Sequence, residues 1–265
     1  MGTKIALLQA NPTVGDVSGN SAMLASMVEK SAEAGASLAV STELVISGYP
    51  PRDLLLQSDF ITACENAARS IPTKIPLLIG CPLSPVEERS LPGNGVIWVD
   101  DVCREATRKQ LLPTYDVFDE ARYFEADERP GIARTIAGLD IGVTICEDAW
   151  QHCGATPNDY DADPIAQIVE WGRQGVSLDA TVNLSASPYH ADKSGLRLQV
   201  ARSAAASLGH PFLLANQVGG NDDLLFDGRS IVAWPDGTAV IAPGWCEGIL
   251  IADIESPESC TWSGE

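Results

Sequence analysis

Residues 141–150 read IGVTICEDAW: a mostly apolar run, Ile141 to Ile145, ends on one cysteine, Cys146, with Glu147 and Asp148 directly after it. A short apolar run of this kind reads as a strand buried on both faces, and such strands belong to sheets covered by helices. Only a thiolate is a good nucleophile, and neighbouring carboxylates oppose its formation by raising the thiol's pKa. Cys146 is therefore either an inert core thiol at a strand end or a nucleophile whose base and positive charge come from elsewhere in the chain.

The same pattern extends outward in both directions. Upstream, strands are predicted over Ile5–Gln9, Leu38–Leu44, Ile75–Cys81, Val96–Asp100, Glu105–Leu112 and Ala133–Ala137, with helices over about Ala22–Ala34 and Leu54–Ala68. Downstream, Asp163-Pro164 caps a helix that Gly175 ends. Strand Ala180–Leu184 follows, then helix Ser194–Leu208, whose stripe Leu196, Val200, Ala204, Leu208 repeats every four residues. Strands Phe212–Gln217, Leu225–Trp234, Thr238–Ile241 and Ile249–Ile254 close the chain, with a WPDG hairpin turn between two of them. No repeat or linker interrupts this order, so residues 1–265 are expected to form one α/β domain.

Composition narrows the function. Thirty-six acidic residues against 17 basic ones leave a net charge of −19, which argues against binding nucleic acid or an anionic membrane surface. No apolar run approaches the roughly 18 residues of a membrane span. The seven cysteines are scattered with no CxxC pair, so neither a zinc site nor a disulfide framework is indicated, and reduced thiols in the cytoplasm are expected. His152-Cys153 has no second ligand pair nearby, so no metal is expected.

Three polar or reactive residues stand where apolar segments run out: Glu43 near the end of LAVSTEL, Lys109 late in EATRKQLL, and Cys146 after IGVTI. In α/β folds, adjacent strands bring such ends together. A carboxylate can take the thiol proton, and an ammonium can favour the thiolate and then hold the oxyanion its attack creates. Such a trio also arises by chance on unrelated strand ends.

Five blocks, STELVISGYPPRDLL, KQLLPTYDVFDEARYF, GVTICEDAW, NLSASPYH and NQVGGNDDLLFDG, together resemble the amidase domain of glutamine-dependent NAD synthetases, in the nitrilase (carbon–nitrogen hydrolase) superfamily. The resemblance runs over roughly residues 4 to 254. It implies a four-layer α-β-β-α sandwich and a Glu43–Lys109–Cys146 triad that releases ammonia from the side-chain amide of glutamine, without a cofactor. Lys109 and the backbone N–H of Glu147 would hold the oxyanion. Tyr49 would shape the pocket wall, or simply pack beside Pro50 and Pro51. Tyr115, Phe118 and Glu120 would position substrate and support the lysine, and Glu147, Ser187 and Lys193 would contact substrate, the last two at its amino-acid end. Glu120 as a solvated charge and Lys193 as an exposed lysine are the plain alternatives. The sequence has no SGGxDS-type phosphate loop; a synthetase domain, in a longer chain or in a separate subunit, is a possible partner, and a homo-oligomer is the expected state. A free amidase acting on another small amide, or a non-catalytic interaction domain, would fit the same fold.

Overall fold

The computed structural model describes residues 3–86, 91–134, 138–157 and 159–264. In chain order the elements are β1 (Lys4–Gln9), α1 (Val17–Glu33), β2 (Leu38–Val40), α2 (Ser58–Arg69), β3 (Leu77–Leu83), β4 (Gly93–Val99), β5 (Arg104–Arg108), β6 (Gly131–Arg134) and β7 (Asp140–Ile145). Then come α3 (Pro164–Arg173), β8 (Ala180–Ser185), α4 (Lys193–Leu208), β9 (Phe212–Asn216), β10 (Val218–Asn221), β11 (Leu224–Asp227), β12 (Ile231–Ala233), β13 (Ala239–Ile241), β14 (Gly248–Asp253) and β15 (Thr261–Gly264).

Two sheets carry the fold. A seven-stranded sheet runs β15-β14-β1-β2-β3-β4-β5, and a six-stranded sheet runs β13-β12-β9-β8-β7-β6. Their centres, β1-β2-β3 and β7-β8-β9, are parallel, and antiparallel strands flank them. Strand side chains alternate between faces, and here both faces are apolar. On β1, Ile5 and Leu7 point to the inter-sheet core, where Ile141, Val143, Val182, Leu184 and Leu213 of the second sheet meet them. Ala6 and Leu8 point the other way, into a cluster with Leu24, Val28 and Cys64 of α1 and α2. Phe212 and Leu214 of β9 likewise pack outward on Val200 and Ala204 of α4, together with Ile165 of α3. The result is a four-layer α-β-β-α sandwich. Burying one Leu or Ile side chain contributes about 1.5–3 kcal/mol, so two-sided burial dominates over intrinsic strand preference in holding these layers.

Several boundaries differ from the sequence expectation, each for a local reason. Helix α1 starts five residues early because Asp16 caps it, its carboxylate accepting the Gly19 N–H at 2.9 Å. Strand β2 stops at Val40, and the following segment bends through Leu44 at φ 46°. Strand β5 stops at Arg108, which leaves Lys109 just beyond it. The expected helix from Leu54 is a 3-10 turn, Arg52–Leu56, followed by α2. The expected strand Leu225–Trp234 is two strands, because Gly228 and Arg229 turn at φ 65° and 55°. Its first part pairs with β10 in a separate hairpin, and its second joins the six-stranded sheet. Residues 135–137 of the expected strand Ala133–Ala137 lie outside the described residues.

Among the described residues, no helix is long and apolar enough to cross a membrane. All seven cysteines are free.

Candidate active site

The structure brings Glu43, Lys109 and Cys146 together from three segments. Glu43 lies in the bend after β2, pressed against β3. A side chain at Gly80 of β3 would meet the Thr42 carbonyl at 2.3 Å and the Leu44 nitrogen at 2.5 Å, so only glycine admits this approach. Lys109 follows β5, with its N–H donating to the Asn94 carbonyl at 2.7 Å. Cys146 ends β7 and opens a 3-10 turn, Cys146–Ala149. Its φ is 44°, a left-handed conformation that costs a non-glycine residue about 1–3 kcal/mol. As the first residue of a helical turn it precedes the Glu147 N–H, one of the donors such a turn leaves without an intrahelical acceptor.

A buried ion network joins Glu43 and Lys109 to Glu120. The Lys109 ammonium donates to Glu43 Oε1 at 2.7 Å and to both carboxylate oxygens of Glu120 at 2.8 Å. Both Lys109 and Glu43 are fully buried. Glu43 Oε1 also accepts from Asn94 Nδ2 at 2.8 Å, and Oε2 accepts from the Ala186 N–H at 3.0 Å. Tyr49 donates its hydroxyl to Glu120 Oε1 at 2.9 Å. Burial pulls the Lys109 pKa down, but Glu120 and Glu43 outweigh it and hold the ammonium well above the usual lysine range. For Glu120, burial outweighs Lys109 and pushes the carboxyl up to about 7. Burial and then Glu43 hold the Cys146 thiol well above its ordinary range, with Lys109 opposing. Lys109 thus does not outweigh burial and Glu43 at this thiol.

Cys146 opens into a cavity of about 410 Å³ also lined by Tyr115, Phe118, Glu147, Trp150, Ser187 and Lys193. Tyr115 donates to Glu147 Oε1 at 2.6 Å, and Tyr160 donates to the same atom at 3.3 Å. Burial raises the Glu147 carboxyl against the pull of these bonds. The Lys193 ammonium sits 5.6 Å from the Phe118 ring centre and 5.3 Å from that of Trp150, and burial lowers its pKa. The Ser187 hydroxyl is buried without a hydrogen-bond partner among the described residues. A buried polar atom of this kind is expected to be satisfied, and here it lines the cavity.

Tyr49 and Glu120 each have two readings in the sequence. Tyr49 does not line the Cys146 cavity: it is buried, with its hydroxyl committed to Glu120, and borders a separate cavity of about 250 Å³. Glu120 is not the solvated charge of the plain alternative: it bonds to Lys109, the lysine the resemblance has it support, and Lys109 and Tyr49 hold it inside the protein. The sequence reading also missed Asn94, Tyr160 and the Ala186 N–H, which no local pattern marks. It took Asp148 only as a charge opposing the thiolate.

The profile of the carbon-nitrogen hydrolase family matches residues 4–262. The chain belongs to the carbon-nitrogen hydrolase family. Among its relatives are the glutamine-dependent NAD(+) synthetases of Synechocystis sp., 36% identical over 247 residues, and of Aquifex aeolicus, 34% identical over 259 residues. These alignments cover 89% and 96% of this chain but 43% of each relative, so the chain spans less than half the length of the curated relatives it matches. The solved glutamine-dependent NAD+ synthetase of Acinetobacter baumannii superposes with a TM-score of 0.82 at 28% identity, covering 95% of this chain and 45% of that one. An amidase of the nitrilase superfamily from Nesterenkonia shares the fold, with a TM-score of 0.74 at 20% identity over 97% of this chain and 92% of that one.

Proposed function

We propose that this chain hydrolyses the side-chain amide of glutamine, or of a closely similar small amide, through a thioester on Cys146. One observation carries the reading: the Cys146 thiol, which lines the cavity, lies within the electrostatic reach of a buried Glu43–Lys109 pair 2.7 Å apart. Glu43 takes the Sγ proton as sulfur attacks the amide carbon, and the carbonyl electron pair moves onto oxygen. The Lys109 ammonium and the Glu147 N–H hold that oxyanion. Held charged by Glu120 and Glu43, Lys109 acts as a fixed positive charge and not as a proton donor. The tetrahedral intermediate collapses, and nitrogen leaves as ammonia with the proton returned from Glu43. Glu43 then takes a proton from water, which attacks the thioester and releases the acid and the Cys146 thiol.

The cavity suits an amino-acid amide. Its volume falls within the roughly 300–1,000 Å³ of small-molecule sites. Lys193 offers a cation to the α-carboxylate, Ser187 a free hydroxyl, and Glu147 a carboxylate to the α-ammonium. On this reading a synthetase domain consumes the ammonia, and the protein works in the cytoplasm as a homo-oligomer. The exposed Tyr189–Trp245 ring pair beside the cavity mouth fits a surface covered by another subunit.

Ammonia release from glutamine, from other ω-amides and from N-carbamoyl compounds is the direct test. Glutamine should be preferred, and Cys146→Ala should abolish turnover while the protein stays folded. Turnover that survives in Cys146→Ala would overturn the mechanism, and a preference for N-carbamoyl compounds would overturn the substrate.

A further inference from the structure

We infer that Asp148 is a positioning residue that sets the geometry between Lys109 and Cys146. Its Oδ1 accepts the backbone N–H of Gln110 at 3.1 Å and of Leu111 at 2.9 Å, and its Oδ2 accepts that of Ile145 at 3.0 Å. The first of these belongs to the peptide unit directly after Lys109. The last belongs to the residue directly before Cys146. One rigid carboxylate therefore clamps the two segments that carry the ammonium and the thiol.

The clamp also crosses the fold. Lys109 follows β5, an edge strand of the seven-stranded sheet, whereas Cys146 follows β7 of the six-stranded sheet. Asp148 bonds to no substrate-facing atom and does not border the cavity. It is 2% exposed, and burial pushes its carboxyl up to about 7 against the pull of the N–H donors and Lys109. A buried carboxylate is costly unless hydrogen-bonded. An acceptor with two oxygens held in one plane is what three converging N–H groups require, and no neutral side chain of this size supplies it. Asparagine would turn one N–H donor toward another at either the Ile145 end or the Gln110–Leu111 end.

This inference rests on Cys146 being the nucleophile, so the test separates the two. Asp148→Asn is compared with wild type and with Cys146→Ala for amide hydrolysis and for alkylation of Cys146 by chloroacetamide. With the fold intact, Asp148→Asn should lose about 10²-fold in kcat and in alkylation rate, as a small misplacement of reacting groups does. Its KM should stay within about threefold, because the cavity walls are untouched. A purely structural role would lower the melting temperature and leave kcat per folded molecule unchanged, and that result would overturn the inference. If Asp148→Asn does not fold, Asp148→Glu, which keeps the charge and moves the acceptors by one methylene, is read in the same way. Failure of both to fold would assign Asp148 to folding alone and also overturn it. If Cys146→Ala keeps turning over, the mechanism fails, whatever Asp148 does.

Discussion

Glu43 and Lys109 have opposite charges but separable tasks. Glu43→Gln keeps the shape while removing the base, and its single amide oxygen can accept at only one of the Asn94 and Ala186 ends, so both formation and hydrolysis of the thioester should slow. Lys109→Met keeps the stem and removes the charge, which costs the oxyanion its stabilisation, about 10²–10³-fold in kcat. It also strands Glu43 and Glu120 in the interior, and breaking a buried ion pair costs about 3–5 kcal/mol. Rates should therefore be expressed per folded molecule, measured beside a melting curve. Near wild-type kcat in either variant would remove that residue from the mechanism. Cys146, Lys109 and Glu43 were legible as reactive groups at the ends of apolar segments. Glu120 was legible only by resemblance, since YDVFDE reads locally as an exposed loop. The companion roles of Asn94 and Tyr160 carried no signal, because an ordinary polar residue becomes a positioner only through neighbours distant in sequence.

At the scale of elements, the parallel strands were read well because each is a contiguous apolar run. The weaker readings fell where chain direction changes. Two left-handed residues, Gly228 and Arg229, split one apparent strand into a piece in the β10-β11 hairpin and a piece in the main sheet. The β8–β9 junction supplies a test of how elements are held. His210, just before β9, is bonded to Thr181 Oγ1 of β8 at 2.8 Å, and burial pulls its pKa down to about 4, with Asp179 opposing. The folded protein thus holds His210 neutral, whereas the unfolded chain protonates it near 6.5. Its stabilising contribution is complete above 6.5 and is lost as pH falls through the window to about 4. Between pH about 7.5 and about 4.5, wild type should lose more melting temperature than His210→Gln. Equal losses would exclude His210 from the acid sensitivity.

For the molecule as a whole, charge is the dominant global property. A net charge of −19 repels itself across a compact body, and salt screens that repulsion with a Debye length of about 10 Å at 0.1 M. The melting temperature should rise by several degrees between about 0.05 and about 0.5 M sodium chloride. A flat or falling response in a thermal scan would mean that the acidic groups are already balanced locally by ion pairs.

What the sequence determined by itself is the set of elements. Their local pattern does not say whether the strands form one sheet or two, and the four layers were implied only by the resemblance. Buried strands, amphipathic helices and the turns between them follow from local patterns, because apolar burial depends on each residue's own surface and spacing. It also placed one cysteine at a strand end. What only the tertiary structure decided is the state of that cysteine and the company it keeps. Lys109 and Glu43 lie 66 residues apart in the chain yet touch at 2.7 Å, and their effect on the thiol depends on distance and desolvation, neither of which is a local property. For the same reason Asp148, two residues from Cys146 and apparently its adversary, became in three dimensions an acceptor for three backbone N–H groups.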